Sequence, residues 1–82
     1  LDLEGRVAKL IAGAAEARGH ADAGTLVLDL DFTQGELAAM VGGSRQSVNQ
    51  ILRALQGRGF LEIDRESLTV KDLAALRRRA GV

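Results

Sequence analysis

Eighty-two residues, 46% of them apolar and 27% charged, with eleven basic and eleven acidic side chains, have the composition of one small globular domain. The lack of cysteine excludes a disulfide framework and thiolate metal sites, as suits a reducing cytosol, and no apolar run approaches the ~18 residues of a membrane-spanning helix. No secretory-signal pattern opens the chain, and its start at Leu1 rather than Met is that expected of a piece of a longer protein.

The zero net charge argues against an indiscriminate polyanion binder, but the charge is unevenly placed. Residues 1–31 hold six acidic and three basic groups, whereas residues 32–82 hold five acidic and eight basic ones. Between Leu37 and Leu61 there is no carboxylate, while Arg45, Arg53 and Arg58 are present. One positive face on a neutral chain suits a module steered toward an anion.

In chain order, Val7, Leu10, Ile11 and Ala14 recur at helical spacing and predict an amphipathic helix over 3–18. GHADAG, residues 19–24, reads as a loop. TLVLDLDF, residues 25–32, reads as a half-buried strand, with Leu26, Leu28, Leu30 and Phe32 on one face and Val27, Asp29 and Asp31 on the wet face. Thr33 and Glu36 then have capping-box spacing, which starts a helix over 34–41 that buries Leu37, Ala38 and Met40 or Val41. Gly42 and Gly43 end it in a sharp turn.

Ser44 is a good N-cap for the next helix, over 44–58, whose stripe of Val48, Ile51, Leu52 and Leu55 faces a core. Its outer face carries Arg45, Gln46, Asn49, Gln50 and Arg53. Gly57 and Gly59 stop it, and Phe60 folds back onto its last turn. Leu61 and Ile63, then Leu68 and Val70, flank DRES as a hairpin. VKDLAALRRRAGV closes the chain as a helix with Leu73 and Leu76 or Ala80 inward, and Arg77, Arg78 and Arg79 as a solvated end that complements the helix dipole. The expected architecture is α+β, a single winged helix-turn-helix domain over 1–82. It has about four helices and a small antiparallel sheet of the early strand plus the wing hairpin.

A helix that reads base edges needs long or amide side chains and no competing carboxylate: Arg grips guanine O6 and N7, Asn or Gln grips adenine N6 and N7. Small hydroxyls and N–H groups at its start hold phosphates. The 44–53 segment fits both requirements. A winged helix used for docking another protein, without DNA binding, is the alternative. Other chemistry finds less support. VGGS lacks the lysine of a phosphate loop. His20 stands alone in a polar loop, Asp29 and Asp31 lack a pocket, and no Ser–His–Asp or Cys–His set can be assembled, so an enzyme is not expected. Phe32 and Phe60 occupy core positions rather than stacking platforms.

The segments LDLEGRVAKLI, FTQGELAAMVGGSRQSVNQILRALQGRGFLEI and LTVKDLAAL resemble, in that order, the opening helix, the helix-turn-helix with first wing strand, and the second wing strand with terminal helix of bacterial transcription regulators of the cyclic-AMP receptor protein and FNR type. The resemblance spans nearly the whole chain, and T-x-x-E-L-A-x-x-V-G-x-S-R-x-x-V-x-x-I-L-x-x-L carries it. It implies that Arg45 contacts a guanine and that Thr33, Ser44 and Ser47 sit at phosphate-holding positions. Gln46 stands where many members have glutamate, Gln50 where the receptor has a second base-contacting arginine, and Asn49 where it has glycine. These three join Arg45 as base-contacting candidates, and Arg53 and the wing-tip Arg65 join the phosphate set. The resemblance further implies a cytoplasmic homodimer on a palindromic DNA site, a possible contact with RNA polymerase, and no cofactor in this domain. A cyclic nucleotide or other effector would bind in an N-terminal domain outside it.

Overall fold

The computed structural model describes residues 2–81, so the outermost residues of the expected 1–82 domain lie outside it. Helix α1 (Leu3–Arg18) leads into strands β1 (His20–Asp22) and β2 (Thr25–Asp29). Helices α2 (Leu30–Val41) and α3 (Arg45–Gly57) follow, then strands β3 (Leu61–Ile63) and β4 (Ser67–Val70) and helix α4 (Leu73–Ala80). The four strands form one antiparallel sheet in the order β1-β2-β4-β3, with Leu28 opposite Leu68 and Leu61 opposite Val70. This is a winged helix-turn-helix, α+β as expected.

Two local features differ from the sequence reading. GHADAG is not a plain loop: its first residues form β1, paired to β2 from His20 against Val27 to Asp22 against Thr25. Ala23 and Gly24 both take positive φ (52° and 85°), as two-residue hairpin turns of right-handed twist require. β1 is exposed throughout, so backbone pairing alone defines it and no apolar alternation betrays it.

The second difference is where α2 starts. The strand stops at Asp29 because its partner β4 begins at Ser67, opposite Asp29, and leaves residues 31–32 no backbone to pair with. Leu30 N–H makes one last cross-link to Glu66 O at 3.0 Å. Asp29 then caps the helix, its Oδ1 accepting from Phe32 N–H at 2.8 Å. Thr33 therefore lies within the helix rather than at its cap, and its Oγ1 donates back to Asp29 O at 2.7 Å. Glu36 pairs with Arg18 instead of closing a capping box. The same shift turns Phe32 out of the core: it is 54% exposed, with the Arg18 guanidinium 4.7 Å from its ring centroid. Met40 is also exposed.

Val7, Ile11, Val48, Leu52, Leu55, Leu61, Leu68 and Leu76 are fully buried and join α1, α3, the wing and α4 in one core, with Phe60 packed at its edge. Around it, ion pairs tie the ends of the chain together. Glu4 Oε1 accepts from Arg79 Nε and from Arg58 Nη1, both at 2.8 Å, and Asp2 Oδ2 accepts from Arg79 Nη2 at 2.7 Å. Arg77 pairs with Glu16. The arginine run is thus no free solvated end, since two of its three members clamp α4 to α1.

Asp2 also caps α1 through Gly5 N–H at 2.8 Å. The Arg79 guanidinium, and then the Gly5 N–H, hold the Asp2 carboxyl below the usual carboxylate range, while Asp2 and Glu4 push Arg79 further up. A carboxyl more acidic in the folded than in the unfolded chain stabilises the fold fully above its unfolded pKa, and that share is lost as pH falls through the folded value. Asp2→Asn keeps a capping oxygen but removes the charge. Its melting temperature is therefore expected to decline less steeply than that of the parent protein in an acid titration from pH 5 toward 2; parallel declines would show that the pair adds nothing.

Candidate nucleic-acid interface

The two helices of the helix-turn-helix meet through a turn that the glycines make possible. Gly42 adopts φ +70° and ψ +20°, a left-handed conformation that costs a residue with Cβ, and Gly43 N–H closes onto Ala38 O at 3.2 Å. Ser44 returns to extended backbone, and its Oγ accepts from Ser47 N–H at 3.1 Å and donates to Ser47 Oγ at 3.2 Å. Val48, Leu52 and Leu55 seat α3 on the core, with Ile51 half-buried beside them.

That seating fixes the outer face. Arg45, Gln46, Gln50 and Arg53 are exposed, and Asn49 and Ser47 are half-buried, all on α3 or its first turn. No carboxylate lies on this helix. Arg65 stands exposed at the wing tip, where Asp64 N–H donates to Ser67 O at 2.8 Å to close the hairpin. The wing is tied to α3 by Ile63 N–H donating to Gln56 Oε1 at 2.8 Å. Arg53 and Arg65 make no ion pair among the described residues.

Thr33 is placed apart from this set. It is 3% exposed and its hydroxyl is spent on Asp29 O, so its side chain offers no free donor. The positive window of the sequence is also partly compensated in space. Arg58 is neutralised by Glu4, and the Arg45 guanidinium rests on α2, its Nη2 donating to Asp31 Oδ1, to Asp31 O at 3.3 Å and to Gln34 Oε1 at 3.5 Å. Gln34 Nε2 in turn donates to Asn49 Oδ1 at 3.2 Å.

Asp31 and Gln34 thus join the candidate site through their contacts with Arg45 and Asn49, where the sequence reading does not put them. It sets Asp31 on the wet side of a strand, and Gln34 carries no motif. Placing the α2 start at Asp29, an equally good cap, would put both on the first turns of a helix facing α3. Asp31 there also meets the positive end of the helix dipole. His20 is exposed on β1, and the described residues hold no group of three His, Cys, Asp or Glu side chains that could bind a metal. No helix among them is long and apolar enough to cross a membrane.

The Crp-like helix-turn-helix domain family model matches residues 5–79. A CRP-like cAMP-activated global transcriptional regulator of Mycobacterium tuberculosis is 38% identical over 79 residues, covering 96% of this chain and 35% of that protein. The CO-dependent transcription factor CooA of Carboxydothermus hydrogenoformans superposes with a TM-score of 0.81 at 30% identity, over 96% of this chain and 37% of its own. A CRP/FNR-family transcriptional regulator of Thermus thermophilus does so with a TM-score of 0.85 at 28% identity, over 98% and 41%. The chain spans about a third of the length of the curated relatives it matches. With the match running from α1 into α4, the chain belongs to the family of Crp-like helix-turn-helix domains.

Proposed function

We propose that this chain binds double-stranded DNA sequence-specifically, with α3 laid in the major groove and α2 braced across the backbone. It would serve as the DNA-binding part of a longer bacterial transcription regulator. The observation that carries this reading is the carboxylate-free outer face of α3, where Arg45, Gln46, Asn49 and Gln50 are presented together. Ser44, Ser47 and Arg53, with Arg65 on the wing, hold phosphates and set the register. In the whole protein two such domains form a homodimer that reads a palindrome with half-sites ~34 Å apart, in the cytoplasm and within reach of RNA polymerase. A domain outside this chain takes the effector; one relative is named as cAMP-activated and another as CO-dependent, so a cyclic nucleotide is one option among several.

Titrating duplex binding against salt tests the reading. Released counterions make affinity fall steeply with salt, with a log–log slope of about −2 for each domain if Arg53 and Arg65 supply the phosphate charge. An absence of duplex binding, with a protein partner captured through the same face of α3, would instead establish a docking module. Ser47→Ala is expected to cost about 1 kcal/mol on cognate and random duplexes alike, because a phosphate contact carries no sequence information. A loss confined to the cognate site, measured by competition binding, would move Ser47 from the phosphate set to the base-reading set.

A further inference from the structure

The geometry points to Gln34 as a positioning residue for base reading: clamped between Arg45 and Asn49, it turns the Asn49 amide so that its Nδ2 hydrogens face away from α2, and Asn49 then selects a base presenting a hydrogen-bond acceptor. This deepens the major-groove reading above and rests on it.

The chemistry of the clamp fixes its polarity. A guanidinium has five N–H donors and no acceptor. The side-chain atom of Gln34 that meets Arg45 at 3.5 Å is therefore its oxygen, which leaves Nε2 to meet Asn49 at 3.2 Å. Nε2 can only donate, so the Asn49 atom receiving it is Oδ1, and the free end of that amide is Nδ2. The orientation of both amides follows from the one group in the clamp that cannot accept. Arg45 is itself held beside Gln34 by Asp31, through its Oδ1 and its main-chain oxygen. Only Nη2 is engaged in these contacts, so the remaining donors of Arg45 stay available to a guanine. Asn49 is half-buried, and with Oδ1 taken by Gln34 its free polar end is Nδ2.

An outward donor matches guanine O6 and N7, thymine O4 or adenine N7, and mismatches cytosine, whose major-groove edge offers only the N4 donor. Had the amide faced the other way, cytosine N4 or adenine N6 would be the better partner. Gln34 thus sets a preference at a base it does not touch.

The test is selection of bound sequences from random duplexes by the full-length protein and its variants. Asn49→Ala first identifies the base pair read by Asn49, as the position whose preference is lost. In Gln34→Glu both side-chain oxygens accept, so Asn49 must turn Nδ2 inward to reach the new carboxylate and show Oδ1 outward. The expected result is a shift of about two- to tenfold at that one position toward cytosine, at the expense of guanine and thymine, while adenine, which offers both a donor and an acceptor, serves either orientation. The new carboxylate beside Arg45 lowers overall affinity, but the Arg45 base pair should keep its preferred base and the melting temperature should be unchanged. The shift should vanish when Gln34→Glu is combined with Asn49→Ala. Gln34→Met, which removes the clamp without reversing it, should broaden the preference at the same position.

An unchanged preference in Gln34→Glu, a shift that survives Asn49→Ala, or an Asn49→Ala variant that loses preference nowhere would each overturn the assignment while leaving DNA reading intact. Evenly weakened preference at every position would show Gln34 to be merely structural. A parent protein that selects no sequence at all would instead refute the underlying reading, a failure visible before any variant is made.

Discussion

Val48→Asp is expected to leave the chain largely unfolded at room temperature. Val48 has no exposed surface and belongs to the cluster that α3 shares with α1, the wing and α4. A carboxylate placed there loses its hydration and finds no cation, since the arginines of this domain sit on its surface, paired with Asp2, Glu4, Glu16, Glu36 and Asp31 or facing solvent. Burying an unpaired charge costs several kcal/mol. A domain of this length has a total stability of roughly 4–12 kcal/mol. The first quantity is comparable to the second, so the fold does not survive with a useful margin. Gln50→Asp, two residues on but exposed, should shift stability by only about 0.5 kcal/mol, because its carboxylate stays in water. Circular dichroism melts of the two variants decide the matter. A cooperative, near-native melt for Val48→Asp would mean that α3 presents a different face to the core, and the whole assignment of outward residues would move with it.

The contrast between those two positions explains why α3 is legible in the sequence. A helix with three buried residues at spacings of three and four writes its orientation into the apolar pattern, and the polar face follows by exclusion. Ser44 and Gly42 add end signals whose chemistry has few alternatives. The wing is legible for a related reason, since Leu61, Leu68 and Val70 are all buried and bracket a polar tip.

What the sequence hides lacks such a pattern. β1 buries nothing, so pairing with β2 is its only cause, and pairing leaves no mark on residue type. The start of α2 is ambiguous in the sequence because Asp29 and Thr33 are both competent caps. The choice between them is made by where β4 runs out, which is a tertiary fact. Phe32 follows that choice, since a strand parity puts it inward and the helix turns it out. The ion pairs join residues from opposite ends of the chain, as Glu4 does with Arg79, and no local rule forecasts them. The same holds for the candidate site: the outer face of α3 can be listed from the sequence, but its coupling to Asp31 and Gln34 requires the packing of α2 on α3.

That coupling bears on the prediction with the largest functional effect. Arg45→Ala is expected to cost about 1–3 kcal/mol on a cognate duplex and to erase the preference at one base pair, while random duplexes lose far less. The free protein holds Nη2 of Arg45 against Asp31, so a guanine and the aspartate compete for the aim of the guanidinium while its other donors stay free. The pair is exposed, 56% at the arginine and 86% at the aspartate, and exposed pairs contribute about 0–1 kcal/mol. A bidentate guanine contact, at about 1–3 kcal/mol of discrimination, outweighs it, so the aspartate does not keep the guanidinium from DNA. Removing the competitor should act in the opposite sense. Asp31→Asn deletes a negative charge near the phosphates, which tightens cognate and random duplexes alike, and frees Arg45, which adds to the cognate duplex alone, so the ratio between them is expected to widen. Competition binding at fixed salt with matched, singly mismatched and random duplexes measures all three quantities. If Arg45→Ala weakens every duplex equally, Arg45 grips phosphate rather than a base. If Asp31→Asn is as tightening in an Arg45→Ala background as in the parent, the aspartate acts by repelling DNA directly and not by holding the arginine back.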